Sequence, residues 1–549
     1  MALWIVLQTP YAQNKIGKAA GGYLEKLLGT NVTVGGMQFG LLNHFQLKEV
    51  LVSDKQNDTL IFVGKLKLAT LDWFLGKDTI DITYIGLSDT HIKFQRFDSV
   101  WNQAFLEPWL GGGSSSNAKR KPIRLKTDII ELHKIKYEKL DYWKGKKHMA
   151  EIGYLRAKCR ITDFENSNVV LDEVKISDWS FREIKTKGGW TVADSLAYWH
   201  RIDSLDALSE RVVPQNTNPF RLAIKEIDIA AGKLQFYNRK RRPSVDGVFD
   251  ERDITIHDIG GKVKDFRLVG DTIKGNVRLK ANERSGFAIQ SLYTDFTMHP
   301  QMMEFANLDL VTNRSRVGPY YAMRYRHFDE MEDFLDKVSI EAHLLDAKVS
   351  VEDIAVFAPD LKGIVQNGIL SGDAYGTVGD FTVNNLDLRT GQSRIRGTYA
   401  MRGLVDIENT IIDFKTDGSS IDVKDIEPWA EEVKELRKTP VSSLGVVGFK
   451  GNFSGTAFDF LVKGNFKTNA GPIDADLKLK VYGDDIGYFG EIKKADIMAG
   501  TLLGVPKLGR ILFSGEVSSN GFGLKSPVLI SGKLDEITYN DYTYRDVRI

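Results

Sequence analysis

Asn307–Arg324 reads NLDLVTNRSRVGPYYAMR, and Asn385–Arg402 reads NLDLRTGQSRIRGTYAMR. Eleven of the eighteen positions are identical, at an offset of 78 residues. Thr312, Thr390 and Thr468 keep that offset and mark a third, weaker copy. An Asp-Ile pair follows each copy: Asp353-Ile354, Asp425-Ile426 and Asp496-Ile497. A repeat of this length predicts an elongated array whose units bury their apolar faces against one another. It argues for an extended surface or conduit rather than a compact enzyme with one pocket.

Around the repeats the hydrophobic period is two. Ile273, Val277, Leu279 and Ala281 share one face of a strand, against Lys274, Asn276, Arg278 and Lys280. Ala475, Leu477, Leu479 and Val481 alternate in the same way with Asp476, Lys478 and Lys480. Such alternation marks antiparallel strands with one apolar and one solvated face. Fifty glycines supply the turns and bulges this requires. Asp246-Gly247, Asp417-Gly418 and Asn520-Gly521 fit two-residue hairpin turns. Asn282–Gly286 and Gly483–Asp485 fit longer hairpin ends.

Helical signals are few. Thr9-Pro10 reads as a cap followed by proline at the first helical position, and Gly29 as the stop. Ile16, Ala20, Leu24 and Leu28 recur between them at helical spacing. Two readings fit this amphipathic helix: it sits at a membrane surface, or it plugs one end of a sheet. Asp194–Arg211 predicts a helical insertion. Val351–Leu361 and Ile426–Leu436 predict one short helix per repeat, with Asp353 and Asp425 serving the helix dipole. Ala2–Leu7 reads either as the tail of a membrane anchor or as a first buried strand. Gly111–Asn117 is a flexible loop closing an N-terminal segment of about a hundred residues, a plausible size for one structural unit.

Lys and Arg number 74 against 73 Asp and Glu, so nothing in the balance asks for nucleic acid. The single cysteine, Cys159, cannot form an internal disulfide and reads as a small buried side chain. No HExxH, P-loop, GxGxxG or GxSxG motif occurs, and the nine histidines are scattered. Neither catalytic, metal nor cofactor residues are therefore expected. Arg239–Arg242 and Lys119–Lys121 are the strong basic runs, read as solvated loops or as contacts for anionic headgroups or an acidic partner.

The opening LQTPYAQNKIGKAAGGYLEKLLGTNVTVGG resembles the N-terminal anchor and helix of bacterial TamB proteins, particularly the Bacteroidetes type. VLVSDKQNDTLIFVGKLKLATLDWFL, ITYIGLSDTHIKF, the two NLDL…YAMR copies, GNFSGTAFDFLVKGNFKTNAGPIDADLKL and NDYTYRDVRI extend the resemblance over most of the chain. It is weakest over residues 98 to 250. The resemblance implies an inner-membrane anchor and a periplasmic body shaped as a taco-like β-groove, as in AsmA-type and chorein-type bridge proteins. It implies phospholipid transport between inner and outer membranes in support of outer-membrane biogenesis. The alternative it carries is a scaffold or chaperone for outer-membrane protein insertion and secretion with a barrel partner. Against that pattern the chain reads as an N-terminal fragment, lacking most of the anchor and the part that meets the outer membrane.

The resulting expectation is a mostly β fold, a curled and repetitive antiparallel-type sheet with an N-terminal amphipathic helix and a few short helices. The expected divisions are an anchor remnant (1–8), a helix (9–29) and an N-terminal β segment (30–110), followed by a loop (111–122). A β-groove segment (123–300) and the repeats (301–549) complete the chain. Ile273, Val277, Leu279, Ala475, Leu477, Leu479 and Val481 are the expected groove lining. Alternation alone leaves open whether these rows face a trough or a closed dry core.

Overall fold

The computed structural model describes residues 9–40, 44–71, 82–106, 127–163, 167–189, 220–238, 245–404, 409–426, 428, 445–456, 458–482, 485–503, 505–521 and 527–549. The anchor remnant, the Gly111–Asn117 loop, the 194–211 insertion and both basic runs lie outside these residues. Strands make up 70% of the fold, which places it in the mostly β class. The chain divides into two compact units, Met1–Thr297 and Met298–Ile549.

The first unit opens with helix α1 (Pro10–Leu28). Thr9 caps it in an extended conformation, and Gly29 ends it in the left-handed region at φ 64°. Both termini follow the capping chemistry read from the sequence. Gly17 and Gly21 are buried against strand β1 (Val32–Phe39). A Cβ at Gly21 would lie 3.1 Å from the Val32 carbonyl oxygen, a tight contact that would press helix and strand apart. The helix thus lies over the first strand of the ladder, a common way of blunting a sheet edge.

From β1 the ladder runs in chain order through β2 (His44–Ser53), β3 (Thr59–Thr70), β4 (Ile82–Arg96), β5 (Ile129–Asp141) and β6 (Lys146–Asp163). It continues through β7 (Asn168–Lys185), β8 (Arg221–Asn238), β9 (Asp253–Val269) and β10 (Thr272–Glu283). Strand β11 (Ala288–His299) follows β10 after a turn at Arg284–Phe287, as the sequence indicated for Asn282–Gly286. The antiparallel expectation needs one correction. Strands β4 and β5 pair in parallel, as do β7 and β8. Parallel neighbours require long crossover connections. The Gly111–Asn117 stretch and the 194–211 segment fall in those two connections, so the strands flanking Gly111–Asn117 belong to one ladder.

The second unit contains β12 (Met302–Val311), β13 (Arg316–Val317), β14 (Pro319–Arg324), β15 (Ser339–Ser350) and β16 (Asn367–Gly376). After them come β17 (Asp380–Thr390), β18 (Ser393–Arg402), β19 (Ile411–Asp422), β20 (Val446–Gly455) and β21 (Asp459–Thr468). The unit closes with β22 (Gly471–Tyr482), β23 (Asp485–Met498), β24 (Leu508–Ser519), β25 (Val528–Tyr539) and β26 (Tyr542–Arg548). Every pairing recorded among them is antiparallel. Among the described residues four short α-helices interrupt this unit: α2 (Phe334–Lys337), α3 (Val351–Ile354), α4 (Val423–Ile426) and α5 (Ala499–Leu503). Helix α4 ends where the sequence placed a helix start, and Leu436 lies outside the described residues.

Two hairpin assignments are overturned. Asp417-Gly418 lies inside β19, where the register with β20 slips between Thr416 and Ser419. Asp246-Gly247 lies in a longer connection between β8 and β9. Asn520-Gly521 begins a connection that continues outside the described residues, as does the loop between Tyr482 and Asp485.

Candidate functional site

The strands align their apolar residues into rows that cross a whole unit. One row steps through Phe39, Phe45, Leu68, Ile85, Ile130, Ala157, Val174, Ile227, Val263 and Val277, one residue from each of β1 to β10. The next passes through Leu47, Leu66, Leu87, Leu132, Leu155, Ile176 and Ile229 to Gly261 and Leu279. Cross-strand partners share a face, so this unit carries one continuous apolar face. Ala157, Val174 and Ile224 form its buried centre.

Strands β2 to β8 cross this face with breaks in their alternation. The apolar positions jump by three residues, as in Leu47 to Val50, Leu132 to Ile135 and Ile176 to Trp179. At breaks in β2, β4, β5, β7 and β8, Glu49, Asp89, Lys134, Asp178 and Ala231 have φ near 50°. One left-handed residue turns the strand, so both halves present apolar side chains to the same side. Strict period-two reading misses this device, although the recurring step of three is visible in the sequence.

In the second unit the equivalent break at Asn385, φ 53°, sets Val383 and Leu386 on one concavity of about 720 Å³. Fifteen side chains from β17 to β21 and α4 line it, Phe381, Phe414, Phe449, Phe453, Val462 and Ile426 among them. Tyr399 is the single lining residue with a polar side-chain group, and burial pushes its phenol pKa up. Tyr321, in line with Val383 through Ala342 and Ala374, is pushed up to about 12 by the same desolvation. Both shifts follow from burial of the phenols among apolar side chains.

The expected lining residues fall on these faces. Val277 and Leu279 belong to the two rows of the first unit, and Ile273 pairs with Leu268 beside them. Leu477 pairs with Val462 of the concavity, and Leu479 with Phe460; Val481 follows on the same side of β22. Leu477 and Leu479 are half-buried. Ala475 has no accessible surface and sits opposite Gly464. The seven residues form two sets, one in each unit. Sequence reading missed the larger lining from β17 to β20, whose Phe-rich strands carried the signal.

The opposite faces are charged. Lys478 pairs with Asp459 at 3.3 Å, Lys493 with Asp476 at 2.8 Å, and Arg394 with Asp387 at 2.6 Å. These exposed pairs add little to stability; they keep that face in water. Among the described residues no cluster of His, Cys, Asp and Glu has metal-binding geometry, and no helix is long and apolar enough to cross a membrane. No protein family, curated protein or solved structure matches the chain.

Proposed function

We propose that this protein carries phospholipids, holding their acyl chains on the apolar faces of its strands. The observation that carries this reading is the concavity of about 720 Å³ walled by fifteen aliphatic and aromatic side chains. Burying each acyl CH₂ there would contribute about 0.8 kcal/mol. That gain has no preferred direction, so a chain could slide from one row to the next without a fixed site. The resemblance to TamB proteins supports a setting in a bacterial envelope, with inner-membrane attachment, a periplasmic body and transfer towards the outer membrane. In this reading whole rows of side chains, rather than a few residues, perform the function.

Mass spectrometry of lipids retained by the purified, detergent-free protein tests the proposal. Several phospholipids per chain are expected. A folded, monodisperse protein without lipid would overturn it.

A further inference from the structure

At one end of the first unit's apolar face the rows change character. Ile92, Tyr137, Ala150 and Phe181 are consecutive cross-strand partners and apolar. Two residues further along each strand, the partners become Phe94, Lys139, His148 and Glu183. The last row is Arg96, Asp141, Lys146 and Lys185. Alternation keeps all three rows on one face, so the charged rows stand about 7 and about 14 Å beyond the apolar one.

Arg96, Lys139, Lys146, Lys185 and the His148 imidazole on this rim meet two carboxylates, Asp141 and Glu183. Arg96 pairs with Asp141 at 2.5 Å, and Glu183 takes His148 at 2.9 Å and Lys185 at 3.8 Å. Lys139 and Lys146 make no ion pair among the described residues; the Lys139 ammonium instead lies 5.0 Å from the Trp101 ring. The Arg96 guanidinium stands between Trp101 and Trp143, at 4.7 and 5.0 Å. Its Nε is buried with no hydrogen-bond partner among the described residues. A surplus of positive charge, half out of water and next to an apolar row, matches an amphiphile with an acidic head.

We infer that this rim is a headgroup subsite for an anionic phospholipid, with Lys139 and Lys146 on the phosphate and the acyl chain running inward over Tyr137, Ala150 and Phe181. The inference rests on the lipid-carrying reading above and adds a preference for headgroup charge. Each ammonium would give the phosphate a charge-assisted hydrogen bond in a partly desolvated place.

The test incubates the protein with vesicles of equal phosphatidylglycerol and phosphatidylcholine, re-isolates it, and counts bound lipids by native mass spectrometry. The wild type should retain phosphatidylglycerol over phosphatidylcholine by about tenfold. The double variant Lys139→Gln, Lys146→Gln should fall to near parity with the same total lipid per chain, and Lys146→Gln alone should fall part of the way. Lys65→Gln, Lys67→Gln, on the exposed opposite face, should keep the wild-type ratio. A wild type without preference, a double variant that keeps it, or a control that loses it equally would overturn the subsite. Loss of all bound lipid in the wild type would instead overturn the carrier reading itself, because the total and not the ratio would vanish.

Discussion

The repeated Asp-Ile pair has a role that local sequence does not reveal. Asp353 Oδ2 accepts hydrogen bonds from the Thr312 hydroxyl at 2.5 Å, the Ser315 hydroxyl at 2.7 Å and the Arg314 amide at 3.1 Å. Ser315 in turn accepts from the Ser350 amide. Asp425 repeats the arrangement on Ser393 and the Gln392 amide, and Ser393 accepts from the Asp422 amide. These carboxylates brace a preceding hairpin turn, besides lying in the first turn of α3 and α4 as expected of them. In the third copy Gly471 stands where Ser315 and Ser393 stand, and Asp496 turns to a bidentate pair with Arg510. Asp353→Ala should therefore cost about 3 kcal/mol in urea unfolding, since it strands buried hydroxyls, whereas Asp496→Ala should cost about 1 kcal/mol or less. Equal losses would contradict this account. His343 offers a pH readout. Its hydrogen bond to the Asp373 carboxylate, at 2.8 Å, raises its pKa. The stabilisation is then fully present below the unfolded value of about 6.5 and is lost as pH rises through the higher folded value. The melting temperature should fall between about pH 6 and about pH 8, less steeply in His343→Gln; parallel profiles would refute the link.

Within β2, β4, β5, β7 and β8, the decisive feature is a left-handed residue at a break in the alternation. Asp89 has φ 53° and lies level with Gly64, whose added Cβ would come within 2.9 Å of the Asp89 Cβ. Asp and Asn tolerate this conformation, and a β-branched residue does not. Asp89→Gly should change stability by about 0.5 kcal/mol or less, while Asp89→Val should cost about 1–2 kcal/mol. Chemical denaturation of the two variants separates them, and equal effects would argue against a conformational origin. Glu49, Lys134 and Ala231 occupy equivalent places without that tolerance. No turn-forming residue type marked them in the sequence, so only the three-residue step in apolar spacing could have located them. The helix α1 was legible because its caps are local; its seating on β1 through Gly17 and Gly21 was not, because those glycines look neutral in a helical pattern.

At the scale of each unit, the proposed lipid carriage rests on rows rather than single residues. Leu479 lies between Phe460 and Tyr488 on the apolar face of β22 and is half-buried. Leu479→Glu places a charge where acyl chains would lie, at a desolvation cost of several kcal/mol for any lipid passing over it. Retained lipid should drop severalfold while the far-ultraviolet circular dichroism stays that of the wild type; undiminished retention in the folded variant would count against the rows as the lipid surface. The mostly β class, the capped first helix and the two-sided strands could be read directly from the chain, because each depends on residues within a few positions of one another; the 78-residue repeat could be read because the residues themselves recur. The parallel seams at β4–β5 and β7–β8, the brace from Asp353 to Ser315, the alignment of ten strands into one apolar face and the cationic rim at its end could not. Each depends on which distant residues the backbone hydrogen bonds bring level, and that register emerges only when all the strands pair.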